Sequence, residues 1–228
     1  MPSTVVHAAL AFLVVAGLLR GFYGWKALAV VLAVLLVVEV DTFLGWFVDG
    51  AHRAALHNLL IPVVAAVFLY WDTCRREASW IRSRWGAWGV WVAWAALFAH
   101  TFAHVLLDMA HLDGINPLYP LYDRFVSLDG EAYISTTEGF VQTFVEIAPD
   151  EETGEAAVDV GQGGTTADTH VSSPVDPSPP EAPDEPVDRR APIAVQGWQL
   201  YLVVAGAFTL VAKRLQSPLS SGENDGRN

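Results

Sequence analysis

The chain has 228 residues, of which 53% are hydrophobic, and a formal net charge of −12. The apolar residues are gathered into long blocks, which predicts membrane helices rather than a water-soluble fold. Because Cys74 is the single cysteine, the composition excludes an intramolecular disulfide and any zinc site built on cysteines.

Five apolar segments follow one another and predict an all-α polytopic membrane protein, with a four-helix core and a C-terminal helix. A helix needs about 20 apolar residues to cross a bilayer, and only the fourth segment reaches that length comfortably. No basic residue precedes the first apolar run, so we interpret that segment as a retained helix and not as a signal peptide. The segments are Thr4–Leu19, Trp25–Val40, His57–Trp71, Gly86–Leu107 and Gly197–Ala212.

Basic residues in alternate loops predict the orientation of these helices. Arg20 and Lys26 flank the first loop, four arginines crowd residues 75–84, and Lys213 and Arg214 close the last segment. Loops rich in lysine and arginine stay in the cytoplasm. We therefore expect a multi-pass protein of the cell membrane, with its N-terminus outside and its C-terminus in the cytoplasm.

The acidity lies almost entirely in the predicted outer segment. Residues 109–195 carry 17 acidic and 3 basic side chains, whereas the rest of the chain carries 8 acidic and 10 basic ones. Such a surface repels phosphates, so we expect no nucleic-acid partner, and it fits a solvated tether adapted to high salt. The predicted units are a helical metal-site domain (1–125), a small extracytoplasmic hairpin (126–148), a disordered Pro-rich linker (149–196), a transmembrane helix (197–214) and a disordered tail (215–228).

Ionisable side chains recur inside these apolar segments, where they are costly unless they serve a function. His104 and Asp108 are four residues apart, so they share one face of a helix. Imidazole and carboxylate groups are the ligands that suit zinc. In the predicted topology the ionisable groups of four segments meet at the outer face of the membrane. These groups are His7, Glu39, Asp41, His52, His57, His104 and Asp108.

Several of these residues admit more than one role. Asp41 is the better ligand candidate of the acidic pair, whereas Glu39 is either a second ligand or a general base. Arg53 either positions an anionic substrate or anchors the chain at the membrane interface. His100 and His111 continue the stripe of His104 and would act as outer or interfacial groups.

The order and spacing of these residues resemble the YdjM-like family of membrane-bound metal-dependent hydrolases. The match covers residues 1 to about 125, and its most specific part is "HVLLDMAHLDGINPLYP", from His104 to Pro120. The resemblance implies a helical membrane protein with a divalent metal, distantly similar to the zinc-dependent phospholipase C and nuclease group. It implies metal binding by six residues: His7, Asp41, His52, His57, His104 and Asp108. Glu39 stands where the family usually has an aspartate.

Three functions follow as hypotheses. The first is a hydrolase that uses a divalent metal, by expectation zinc, to cleave lipid or lipid-linked phosphoesters at the outer membrane surface. In this hypothesis Glu39 accepts the proton and Arg53 holds the anionic group of the substrate. The second is a non-enzymatic protein that binds or transports a cation or proton through the same groups. The third is a structural module whose histidines only cross-link helices.

Overall fold

The structure is a computed structural model that describes residues 2–48, 50–111, 113–149, 156–159, 161, 163–177, 189 and 191–216. This part of the chain contains seven α-helices and two antiparallel strand pairs, joined by loops and short turns. The helices are α1 (Thr4–Leu18), α2 (Trp25–Val38), α3 (Asp41–Leu44), α4 (Leu60–Tyr70), α5 (Trp80–His100), α6 (Leu106–Met109) and α7 (Gly197–Gln216). The strands are β1 (Ala132–Ser135), β2 (Gly139–Gln142), β3 (Glu146–Pro149) and β4 (Ala156–Asp159).

The five predicted helices are present, because the two shortest helices continue longer ones. A two-residue turn joins α2 to α3, and a π-helical turn, Thr101–Val105, joins α5 to α6. Two stretches are long and apolar enough to cross a membrane, Trp25–Leu44 with 20 residues and Trp80–Met109 with 30. Length and composition alone support this, so the multi-pass topology and its orientation stay predictions.

Capping residues set where the helices begin. The hydroxyl of Ser3 accepts the Val6 N–H at the start of α1, and Ser79 accepts the Arg82 N–H at the start of α5. Helix α5, which corresponds to the fourth predicted segment, therefore starts at Trp80 and not at Gly86. Gly86 instead forms a kink within α5, with φ +65°. The third predicted helix starts later than expected. The Asn58 side chain accepts the Ile61 N–H, so α4 starts at Leu60 and His57 lies in the preceding loop.

Small and branched side chains from α1, α2 and α5 form the main core. Alanines on α5 let the helices approach closely, while valine and leucine fill the space between them. The buried members are Ala11, Val15, Leu19, Ala27, Val31, Leu35, Val92, Ala95, Ala96, Ala99 and Ala103. This core holds α1 against the C-terminal half of α5, where His7 and His104 lie.

The last helix, α7, packs along α1. Gly206 meets Ala9 so closely that a Cβ on the glycine would lie 2.8 Å from the Ala9 Cβ. The Ser3 hydroxyl also donates to the Ile193 carbonyl at 2.6 Å. Close packing of small residues is a common way for helices to associate in membranes, and here it fixes the helix that carries His7.

The part of the chain after α6 contains the predicted hairpin and more structure than expected. Strands β1 and β2 form this hairpin and pair antiparallel, with Ser135 opposite Gly139. Strands β3 and β4 form a second antiparallel pair, which the sequence analysis missed because β4 lies in the predicted linker.

The prediction of an unstructured linker does not hold for residues 163–177, which we call the strap. Gly163 and Gly164 exchange backbone hydrogen bonds of 2.9 Å with Phe125, and the Thr42 hydroxyl donates to Ser173 at 2.6 Å. Val171 is buried against Ala54 and Phe125. Apolar burial and backbone hydrogen bonds therefore hold the strap in place, although its composition predicts neither a buried side chain nor backbone pairing. Most of the other predicted disorder, at 150–155, 178–188 and 217–228, lies outside the described residues, whereas α7 extends two residues into the predicted tail.

Asp72 ties the end of α4 to the start of α5. Its carboxylate is fully buried and accepts hydrogen bonds from the Trp80 N–H at 2.8 Å, the Ser79 hydroxyl at 2.7 Å and the Ile81 N–H at 3.1 Å. Burial by itself raises the pKa of Asp72, but these hydrogen bonds and the Arg76 guanidinium outweigh it and leave the pKa below its usual value.

Replacing Gly206 by alanine should loosen α7 from α1. The added methyl group has no space beside Ala9, and overpacking of this kind costs about 1–3 kcal/mol. We expect a lower midpoint of thermal unfolding in detergent. Gly17→Ala is the matched control, because nothing lies within 4 Å of a Cβ at Gly17; equal midpoints for the two variants would contradict the packing.

The Asp72→Asn variant should be less stable than the wild type at pH 7, and the difference should shrink in acid. A carboxylate whose pKa is lowered in the folded state stabilises the fold fully at pH values above its unfolded pKa of about 3.9. That stabilisation is lost as the pH falls through its pKa in the folded state. Thermal midpoints measured between pH 7 and pH 3 test this. Glu77→Gln, an exposed acid in the same connection, should change the midpoint little at any pH.

Candidate metal centre

Side chains from five elements meet in one cluster next to the core. We define the His-carboxylate cluster as His7 of α1, Glu39 and Asp41 at the junction of α2 and α3, His52, Arg53 and His57 of the loop before α4, His104 of the π-helical turn and Asp108 of α6. All of these residues are buried except Glu39, whose side chain is 24% exposed. The sequence analysis thus names the members of the cluster, and the structure shows how they contact one another.

Asp41 orients two histidines. Its Oδ1 accepts from His52 Nδ1 at 3.0 Å, and its Oδ2 accepts from His57 Nδ1 at 2.7 Å and from the Leu56 N–H at 3.2 Å. An ionised carboxylate only accepts hydrogen bonds, so each Nδ1 carries the hydrogen and each Nε2 keeps its lone pair. Metal-binding histidines are commonly held this way.

These contacts revise the predicted role of Asp41. We expected Asp41 to be a direct metal ligand, and both of its oxygens accept hydrogen bonds from ring N–H groups. Asp41, His52 and His57 do offer atoms close enough to hold an ion. The hydrogen bonds instead favour a supporting role, in which Asp41 fixes the direction of the His57 Nε2 lone pair.

His57, His104 and Asp108 form a buried group whose ligand atoms could hold one ion. The two Nε2 atoms of His57 and His104 lie 2.9 Å apart. Asp108 Oδ2 lies 3.4 Å from His57 Nε2 and 3.8 Å from His104 Nε2. Ligands of a tetrahedral zinc ion, with bonds of about 2.0–2.1 Å, lie about 3.3–3.4 Å from one another. One of the three separations matches this value, while the Nε2 atoms lie closer together and His104 lies farther from Asp108, so small side-chain shifts would bring the three atoms to zinc spacing.

His7 adds a third imidazole to this group. Its Nδ1 donates to the Ala103 carbonyl at 2.9 Å, which leaves the lone pair on Nε2, 3.4 Å from Asp108 Oδ1. The His7 ring also stacks on His104, with centroids 4.2 Å apart. A lone pair that faces a carboxylate oxygen is unfavourable unless a proton or a cation lies between them, so either a protonated His7 or a bound cation fits this geometry.

Glu39 borders the cluster from its exposed side. Its Oε1 lies 3.7 Å from His104 Nε2 and accepts a hydrogen bond of 3.1 Å from the Thr4 hydroxyl. With His7 and His104 it forms a further group whose ligand atoms all lie within 4.8 Å of one another. The structure therefore permits both roles predicted for Glu39, a ligand or a base.

Arg53 is not available to an external anion, in contrast to one of its two predicted roles. The side chain is 0% exposed, and its guanidinium donates to Asp108 Oδ1 at 2.6 Å and to the Gly114 carbonyl at 3.1 Å. The Arg53 backbone has a φ of +64°, which is unusual for a residue with a side chain. This strained turn directs Arg53 inward, so Arg53 positions Asp108.

The loop after α6 requires a glycine at position 114, where the backbone carbonyl accepts a hydrogen bond from Arg53. The φ of Gly114 is +62°, and a Cβ there would lie 2.3 Å from the Val126 carbonyl oxygen. This glycine thus lets the loop after α6 close over Arg53, because only glycine adopts this conformation without strain.

The charge of the cluster also favours a divalent cation. Glu39, Asp41 and Asp108 carry three negative charges, and Arg53 carries the single permanent positive charge among the described members. With neutral histidines the sum is −2, which is costly in a buried place. One divalent ion would neutralise it.

Two of the candidate histidines lie at the margin. His100 is buried one turn before His104, and neither ring nitrogen has a hydrogen-bond partner among the residues described. His111 follows the end of α6 at Met109 and lies near Asp113 instead, at 3.3 Å. The predicted helical stripe therefore ends before His111.

Some functional features had no usable signal in the sequence. The Ala103 carbonyl and the Thr4 hydroxyl, which orient His7 and Glu39, belong to residues that appear unremarkable in an apolar run. The π-helical turn that carries His104 also has no clear sequence signature, although such turns are frequent at functional sites.

Comparisons with family models, with curated proteins and with solved structures gave no match to this chain. The resemblance described above therefore stays an expectation based on motifs, and any function must be argued from the geometry of the cluster.

The Asp41→Asn variant should bind a divalent ion more weakly while keeping every direct ligand. An amide offers one oxygen, so His52 or His57 loses its acceptor and its fixed orientation, and loss of such a partner typically weakens metal binding about 10–100-fold. Zinc affinity measured by competition with a chelator tests this. Asp113→Asn, which changes a half-exposed carboxylate outside the cluster, should leave the affinity unchanged.

Proposed function

We propose that the protein is a membrane-bound, metal-dependent hydrolase that holds a divalent ion, preferably zinc, in the His-carboxylate cluster. One observation carries the proposal: His57, His104 and Asp108 are buried and offer three ligand atoms that all lie within 4.8 Å of one another. Hydrogen bonds to Nδ1 of His7 and His57 direct their Nε2 atoms toward Asp108, where a proton or a divalent ion can lie between nitrogen and oxygen.

His57, His104 and Asp108 would hold the ion, and His7 would complete its coordination. When bound, a divalent ion polarises a phosphoryl or acyl oxygen and makes a water molecule more acidic. The residues around it have separate tasks. Asp41 fixes His57, Arg53 fixes Asp108, and the Ala103 carbonyl fixes His7.

Glu39 is the residue that we assign to proton transfer. It is the one partly exposed carboxylate among the described members of the cluster, so it is the member that a substrate and its attacking water can reach. The Thr4 hydroxyl donates to Oε1, which keeps this oxygen beside His104. A general base must lie within hydrogen-bond reach of the proton that it takes.

A lipid or lipid-linked phosphoester is the substrate class that we propose. The cluster lies at the end of one candidate membrane helix, where α2 meets α3, and near the end of the other, in the π-helical turn and α6. In the proposed orientation this is the outer membrane surface, at the depth of the lipid headgroups.

Cation or proton transport is supported less well. A relay needs polar groups on both sides of the membrane, whereas the main core between α1, α2 and α5 consists of alanine, valine and leucine in the part of the chain described. Ion flux into liposomes that depends on His104 would favour transport over hydrolysis.

Elemental analysis of the purified protein tests the metal site first. We expect about one or two divalent ions per chain after purification without chelators, and little metal in a His104→Ala, Asp108→Ala double variant, which removes two ligands. His170→Ala is the matched control, because His170 is exposed outside the cluster. Equal metal contents in the wild type and the double variant would overturn the proposal.

If the metal is present, hydrolysis of a chromogenic phosphodiester should depend on it. Glu39→Gln should keep the metal and lose roughly 100-fold or more in rate, because removal of a general base usually costs about 10²–10⁴-fold. Loss of the metal in that variant would make Glu39 a ligand instead of the base.

A further inference from the structure

The His-carboxylate cluster is accessible from one side. Its other carboxylates and its histidines are at most 5% exposed, whereas the Glu39 side chain is 24% exposed. A molecule that reaches the cluster without a large rearrangement must therefore approach past Glu39.

The opposite side is closed by two layers of chain. Arg53 lies directly on Asp108, and the Arg53 carbonyl accepts the Asn116 N–H at 2.9 Å. Ala54, Phe125 and Val171 pack together over this loop. The strap is also held by Asp123, which accepts from both the backbone and the hydroxyl of Thr166. This cover separates the Arg53 side of the cluster from water.

Apart from the Thr4 hydroxyl that donates to Glu39, the exposed residues beside Glu39 on its own stretch of chain form an apolar rim. Leu36 lies nearly one helical turn before Glu39, and Phe43 lies one turn after it. Leu36, Val40 and Phe43 are 48%, 49% and 45% exposed. All three belong to Trp25–Leu44, one of the two stretches apolar enough to cross a membrane. An exposed carboxylate within such a surface marks an opening toward lipid, because a water-facing entrance would carry polar side chains.

We infer that the cluster takes its ligand sideways from the bilayer, and that this ligand is an amphiphile with an oxyanion headgroup and at least one long alkyl chain. The inference rests on the proposed metal site. The headgroup oxygen would bind the ion beside Glu39, and the alkyl chain would lie against Leu36, Val40 and Phe43. A small water-soluble phosphoester would have the same headgroup chemistry but no chain to occupy the rim.

Protection of the bound metal tests this without any need for turnover. The metal-loaded protein is placed in lipid nanodiscs and exposed to a chelator, with either hexadecyl phosphate or ethyl phosphate present. We expect hexadecyl phosphate to slow metal release roughly tenfold or more, because its chain adds apolar contact, and ethyl phosphate to have little effect. Equal protection by the two phosphates, or none by either, would overturn the inference and leave the metal site standing.

Two variants of α2 test where the alkyl chain of the ligand lies. Leu36→Gln places a polar group on the rim and should abolish most of the protection by hexadecyl phosphate. Val30→Gln is the matched control, since Val30 is an exposed residue of the same helix, 39% exposed and more than two turns from Glu39. Neither variant changes a proposed ligand. Equal protection in both variants would contradict a chain seated on the rim.

Fluorescence quenching tests the position of the opening independently of the metal. In a Cys74→Ser background, a fluorophore on Val40→Cys should be quenched by brominated lipid and not by iodide. The same fluorophore on Ile134→Cys, in the exposed hairpin strand β1, should be quenched by iodide. Iodide quenching at residue 40 would overturn sideways entry, whereas absence of metal from the purified chain would overturn the proposed function.

Discussion

The Asp108 carboxylate is the group around which the rest of the molecule is arranged. Arg53 lies 2.6 Å from it, and His7, His57 and His104 present Nε2 atoms to it at 3.4, 3.4 and 3.8 Å. A buried carboxylate is tolerated only when its charge is compensated. The helix of His7, the loop before α4 and the α6 continuation of α5 must therefore meet at this point, which constrains how α1, α2 and α5 pack.

The sequence predicted the members of this site better than their roles. The spacing of His104 and Asp108 and the positions of the apolar segments were sufficient to bring the correct residues together. Roles depend on which ring nitrogen carries hydrogen, and that is decided by acceptors such as the Ala103 carbonyl and Asp41, which only the fold supplies. Asp41 and Arg53 were consequently expected in direct contact with an ion or a substrate, whereas each supports another residue.

The limits of the sequence are clearest where the backbone departs from regular structure. A φ of +64° at Arg53 directs its side chain inward, and residues with side chains rarely adopt that conformation. The strap shows the same limit in another form. Its composition predicts disorder, because it cannot make a core of its own, but one valine and several backbone hydrogen bonds suffice once Phe125 and Ala54 provide a surface.

The position of the strap in the chain has a consequence for assembly. All candidate ligands lie between residues 7 and 108, whereas the cover over Arg53 is completed only by residues 163–177. Synthesis of the intervening stretch of about 70 residues takes about 4–14 s at about 5–20 residues per second. During that interval the residues of the cluster are already made, and the outer layer of the cover over Arg53 is still missing. If the cluster binds an ion as we propose, chain order would give a newly made molecule a period in which the ion reaches it past a thinner cover, before the strap leaves the opening beside Glu39 as the main route.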